Sequence, residues 1–146
     1  MIVMATHEAR RLVLRNDLTE LEHLAGWIEG WTEQEVSPDV VFALQFCLEE
    51  AVANVMMHGA AKDDSLEITV ELEREGEALV ARIEDNGRKF DPTKAPPPPA
   101  PVSLKDAKVG NLGIHLMRSF ANEIDYECRD DRNRLTLRFL ELQQAS

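Results

Sequence analysis

The sequence predicts an α+β two-layer sandwich, with one mixed, mostly antiparallel sheet and helices on one face. Three observations predict it. Apolar residues recur at helical spacing in two consecutive stretches, 18–35 and 39–58. Strict apolar–polar alternation then takes over in 66–73 and returns in 78–85 across Glu75-Gly76-Glu77. Helical and strand-like stretches are also segregated along the chain, which disfavours the repeated crossovers of an all-parallel sheet.

The elements follow in order. Arg10-Arg11-Leu12-Val13-Leu14-Arg15 alternates weakly and reads as a short strand ended by Asn16-Asp17. From Leu18, the residues Leu21, Leu24, Ala25, Ile28 and Trp31 mark one face of a helix reaching about Glu35. Ser37-Pro38 starts the next helix, Ser as N-cap and Pro at the first helical position. Asp39 to His58 carries Val41, Leu44, Leu48, Ala51, Val52 and Val55 on one stripe, Cys47 joins it as a core thiol, and Gly59 stops it. The two alternating strands form a hairpin. Thr93 to Val109 holds Pro96, Pro97, Pro98, Pro99 and Pro101, so it is neither a regular helix nor a central strand; a lid or a loop is expected. Gly110-Asn111-Leu112-Gly113 opens a third helix through Ile114, Leu116, Met117 and Phe120. Two strands close the chain, 123–129 and 134–140, joined by Asp130-Asp131-Arg132-Asn133.

Composition narrows the function. The 146 residues suit one domain, 1–146. Sixteen Lys+Arg against 27 Asp+Glu leave a net charge of −11, which argues against nucleic acid as a partner. Two cysteines make neither a disulfide framework nor a zinc site. No apolar run approaches the roughly 18–20 residues that cross a bilayer, and the first residues lack a secretory pattern. A cytoplasmic protein without membrane contact is expected.

Three motifs carry chemistry. Glu50, Asn54 and His58 are spaced by four and form one polar row on a helix. A carboxylate and a carboxamide so placed suit a base and a hard-cation ligand; they equally suit a solvated helix face. Asp85-Asn86-Gly87-Arg88-Lys89-Phe90-Asp91-Pro92 follows a strand directly. There Asp85 could accept from an exocyclic amine such as adenine's, and Gly87 permits a close backbone approach; the same residues make a plain turn. Gly110-Asn111-Leu112-Gly113 opens a helix whose free N–H groups suit phosphate. It is neither a dinucleotide fingerprint nor a Walker A loop.

In this order and spacing the motifs resemble the N, G1 and G2 boxes of the GHKL, or Bergerat-fold, ATPases. More narrowly, nearly the whole chain is similar to the bacterial anti-sigma-factor serine/threonine kinases of the RsbW and SpoIIAB type. The resemblance implies a Bergerat fold binding ATP and Mg²⁺. Glu50 would be the catalytic base, Asn54 the metal ligand, and Asp85 the acceptor of the adenine amino group, with Gly87 letting the base lie close. Gly110 and Gly113 would hold the phosphates, with 93–109 as the ATP lid. Phe90, Lys108, Asn111, Leu112, Ile114 and Thr136 join the expected nucleotide contacts.

The implied activity is that of a protein serine/threonine kinase and anti-sigma factor in a partner-switching system. It would bind a sigma factor or other effector, phosphorylate a STAS-type antagonist and form a homodimer. The alternative is a catalytically silent ATP-binding regulator that captures a protein partner. Two positions depart from the boxes: Lys89 and Asn111 stand where glycine is common. His58 is expected to serve the helix dipole, Trp31 to pack in the core, and Arg88, Lys94, Lys105 and Lys108 to rim the phosphate site.

Overall fold

The structure, a computed structural model, describes residues 10–32, 36–59, 66–94 and 111–140, without the side chains of Trp31, Thr32, Asn111 and Leu112. Its elements run β1 (Arg10–Arg15), α1 (Glu20–Thr32), α2 (Pro38–His58), β2 (Glu67–Glu75), β3 (Ala78–Asp85), a 3-10 turn (Pro92–Lys94), α3 (Asn111–Phe120), β4 (Glu123–Arg129) and β5 (Arg132–Leu140). The strands form a five-stranded sheet ordered β1-β2-β3-β5-β4.

Every pairing in it is antiparallel, so no parallel component of the expected mixed sheet occurs among the described residues. The reason is topological. β3 and β4 run the same way, but the β4–β5 hairpin inserts β5 between them and pairs it antiparallel with both.

Local chemistry sets the element ends. Ser37 caps α2, its hydroxyl accepting from the Val40 N–H at 3.3 Å. Gly59 ends the helix in a right-handed conformation (φ −89°), not the left-handed one common at helix stops. Gly76 turns the first hairpin at φ +61°. The second hairpin corrects an expectation. Its turn is the two-residue Asp130-Asp131, with φ of 55° and 61°, as tight strand reversals require. β5 therefore begins at Arg132 and takes Asn133 into the sheet.

The helices cover one face. Leu14, Ile68, Val70, Leu72, Ala81, Ile83, Leu135, Leu137 and Phe139 meet Leu24, Ile28, Leu44, Leu48, Val52, Ile114 and Met117 in one buried core. Trp27 packs partly against it, whereas the side chain of Trp31 lies outside the described set. Cys47 is fully buried, and burial pushes its thiol up to about 12, so it is inert as a nucleophile. By length and hydropathy alone α2 would pass for a membrane span, although no single apolar run reaches that length. Core packing accounts for its inner stripe, and Glu49, Glu50 and Asn54 interrupt its centre.

The other face of the sheet is laced with charge. Arg82 bridges Glu73 and Glu75 at 2.7 and 3.0 Å, Arg138 reaches Glu75 at 2.9 Å, and Arg134 reaches Glu84 at 2.9 Å. Such half-exposed pairs contribute about 0–1 kcal/mol each. They shield Val80, which is buried on this face.

Candidate functional site

Among the described residues, the fully buried positions on the core face of the sheet are apolar except in one row, where Asp85 at the end of β3 stands opposite Asn133 of β5. Both are buried. Asp85 Oδ1 accepts from the Gly87 N–H and from Asn133 Nδ2, each at 2.9 Å. Burial raises the Asp85 carboxyl, opposed by the hydrogen bonds from Asn133 and Gly87.

This pair lies in the wall of a cavity between sheet and helices, with Ala51, Asn54, Val55 and Gly59 from the α2 side, Met117 from α3, and Ile83, Arg88, Phe90, Pro92, Tyr126 and Leu135 completing it. An apolar slot with one buried carboxylate suits a flat, amine-bearing heterocycle.

Of the polar row on α2, Asn54 lines the same cavity. Asn54 is 3% exposed, and its Nδ2 has no hydrogen-bond partner among the described residues. Leaving a buried amide unpaired costs about 1–3 kcal/mol, so the position marks a place where a ligand is expected. One turn earlier, the Glu50 carboxylate lies against α3: a Cβ on Gly113 would overlap Glu50 Oε2 and fall 2.6 Å from Cδ. Burial raises the carboxyl of Glu50, and burial together with Glu50 raises that of Glu49. A raised carboxylate beside a helix N-terminus is a competent proton acceptor.

Asn54 and Glu50 fit the oxygen-donor chemistry of Mg²⁺. Among the described residues no cluster of three or more His, Cys, Asp or Glu could hold a cation. Were an ion held there largely by phosphate and water, the oxygen of the Asn54 carboxamide would be the protein ligand.

Other expected residues fall as follows. Phe90 lines the cavity and stacks on His58 at 4.5 Å and 16°, so His58 closes over the phenyl ring. Arg88 lines the cavity, while Lys89 and Lys94 are exposed. Lys105, Lys108, Gly110 and residues 95–109 of the expected lid lie outside the described set; Asn111 and Leu112 are described only as the first turn of α3.

Three of the expected residues sit away from the cavity or face elsewhere. Gly87 admits the backbone of Gly59, since a Cβ would fall 2.9 Å from Gly59 Cα and from Leu66 Cδ1. Ile114 turns into the core at 2% exposure and cannot offer its side chain to a ligand. Thr136 pairs with Arg82 and Asp125 on the charged face, because Leu135, Leu137 and Phe139 take the inward positions of β5.

Asn133 and Tyr126 are not among the residues the sequence motifs single out. The sequence does carry a signal for Asn133: it shares the period-two phase of Leu135, Leu137 and Phe139, a polar residue in an inward position.

Comparison with known proteins gives concordant results. Residues 14–139 match the family described as the histidine kinase-like ATPase domain. The serine/threonine-protein kinase BtrW of Bordetella bronchiseptica is 35% identical over 117 residues, covering 80% of this chain and 78% of that protein. The structure of the RsbU and RsbW domains of a Mycobacterium tuberculosis protein superposes with a TM-score of 0.62 at 14% identity over 91% of this chain, which spans 32% of that longer one. The histidine kinase domain of the blue-light activated histidine kinase of Erythrobacter litoralis gives 0.58 at 14% identity, over 90% of this chain and 63% of that one. The last two likenesses are of fold: the helix-covered antiparallel sheet is that of Bergerat-type ATPase domains.

Proposed function

Since the chain belongs to the histidine kinase-like ATPase domain family, we propose that it is an ATP- and Mg²⁺-dependent protein serine/threonine kinase. Its role is that of an anti-sigma factor in partner switching. It phosphorylates a STAS-type antagonist, binds a sigma factor or other effector in the alternate state, and acts as a cytoplasmic homodimer. The BtrW relative, a serine/threonine-protein kinase by name, supports the reaction class.

One observation carries the reading. On α2, Asn54 lines the cavity holding Asp85 with its Nδ2 unpartnered among the described residues, and one turn earlier the Glu50 carboxylate lies against Gly113 in the first turn of α3. Bound ATP and Mg²⁺ supply the phosphoryl group and compensate its charge. Asp85 holds the adenine amine, Asn54 orients the ion, and Glu50 takes the proton from the acceptor hydroxyl. Phosphoryl transfer asks for little more than such positioning and charge stabilisation.

The test is incubation with labelled ATP, Mg²⁺ and a STAS-domain protein from the same genome, using wild type and Glu50→Gln. Label should reach a serine or threonine of the STAS protein with wild type alone. Tight ATP binding with no transfer by wild type would instead identify a silent regulator.

A further inference from the structure

The carboxamide of Asn133 has every hydrogen-bonding position filled. Nδ2 donates to Asp85 Oδ1 at 2.9 Å and to the Arg88 carbonyl at 2.8 Å, with Gly87 O at 3.4 Å. Oδ1 accepts from the Phe90 N–H at 3.3 Å and from the Tyr126 hydroxyl. Only one orientation of the amide satisfies this set. Turned over, it would set its oxygen against the Asp85 carboxylate and the Arg88 carbonyl, and its NH₂ against the Phe90 N–H. The turn's own backbone therefore dictates that Asp85 faces a donor. Both hydrogen bonds to Asp85 fall on Oδ1.

Resting on the proposed ATP site, we propose that Asn133 is a positioning residue for base selection: it couples the 87–90 turn to Asp85 and fixes that carboxylate as a pure acceptor, so that the cavity takes a 6-amino purine and rejects a 6-oxo purine. An acceptor facing a 6-oxo group meets like polarity, and sites built on such pairing discriminate strongly. Two other observations agree. The Asn133 hydrogen bond favours the ionised form of Asp85 against burial. Burial is also the leading cause that pushes the Tyr126 hydroxyl up to about 12, keeping it protonated as a donor.

The experiment compares ATP and ITP binding to wild type and Asn133→Asp, each checked for folding by circular dichroism. Two facing carboxylates share a proton, and a protonated pair can donate to the 6-oxo group. The expected result is a loss of roughly tenfold or more in ATP affinity with a smaller loss for ITP, so that the ATP-to-ITP ratio collapses. Equal losses for both nucleotides, or none, would reduce Asn133 to scaffold.

Should that variant fail to fold, the side-chain NH₂ resonances of Asn133 in the wild-type protein decide. Two inequivalent, exchange-protected protons should move on addition of ATP but not of inorganic triphosphate. Equal response to both, or no response, overturns the proposal. Failure of the wild type to bind any adenine nucleotide would instead sink the proposed function itself.

Discussion

The carboxylate of Glu50 lies over Gly113, so close that a single methyl group on that glycine would overlap Oε2. The Glu50 carboxylate on α2 and the opening turn of α3 thus share one small volume, and the glycine is what lets them. The crowded partner is the tip of a flexible side chain, not backbone. That difference separates the consequences of substitution here from those at Gly87.

Gly113→Ala should fold. Alanine favours a helix over glycine by about 1 kcal/mol, offsetting the cost of turning Glu50 aside. The expected outcome is an unchanged or slightly raised melting temperature with phosphoryl transfer down roughly tenfold or more, the order of loss a small misplacement causes. Calorimetry and a transfer assay on one preparation check it.

Gly87→Ala should behave in the opposite way. Its Cβ would meet Gly59 backbone, which does not yield cheaply, as well as the tip of Leu66. A loss of about 1–3 kcal/mol is expected from overpacking, read as a lower midpoint in urea. An unchanged midpoint would show that the α2 end and the 87–90 turn are not clamped together.

Asp85→Asn replaces the acceptor facing the base with a group that also donates. ATP affinity should fall roughly 10- to 100-fold, the weight of one charged hydrogen bond. Titration calorimetry reads this directly, and unchanged affinity would reject the adenine assignment.

Glu50→Gln should keep ATP binding and lose transfer by about 10²–10⁴, the span assigned to a general base. In wild type the acid limb of the rate profile should lie above the ordinary glutamate value, because burial raises this carboxyl. The same shift has a stability consequence. A group whose folded pKa is raised contributes stability that is complete below its unfolded value, near 4, and is lost as pH rises through the folded value. Glu50→Gln should therefore melt above wild type at neutral pH, with the difference closing toward pH 4.

Much of this protein was readable from local pattern. The Glu50/Asn54/His58 row, the alternating strands and the glycines before Ile114 depend on neighbours within a turn or a hairpin, and local spacing expresses such relations directly. Thr136 was readable too: Leu135, Leu137 and Phe139 already assign it to the outer face.

Long-range register is another matter. Pairing β3 with β5 joins residues 48 apart, Asp85 and Asn133, and no local pattern states which residue meets which. The positive φ angles of Asp130 and Asp131 shortened the last turn and brought Asn133 into the sheet. Hence the order of elements, and the residues expected as base and metal ligand, belonged to the sequence by itself. Only the tertiary structure decided what orients Asp85, why Gly87 is a glycine and where the unpartnered amide of Asn54 sits, because each depends on chain segments that meet only after folding.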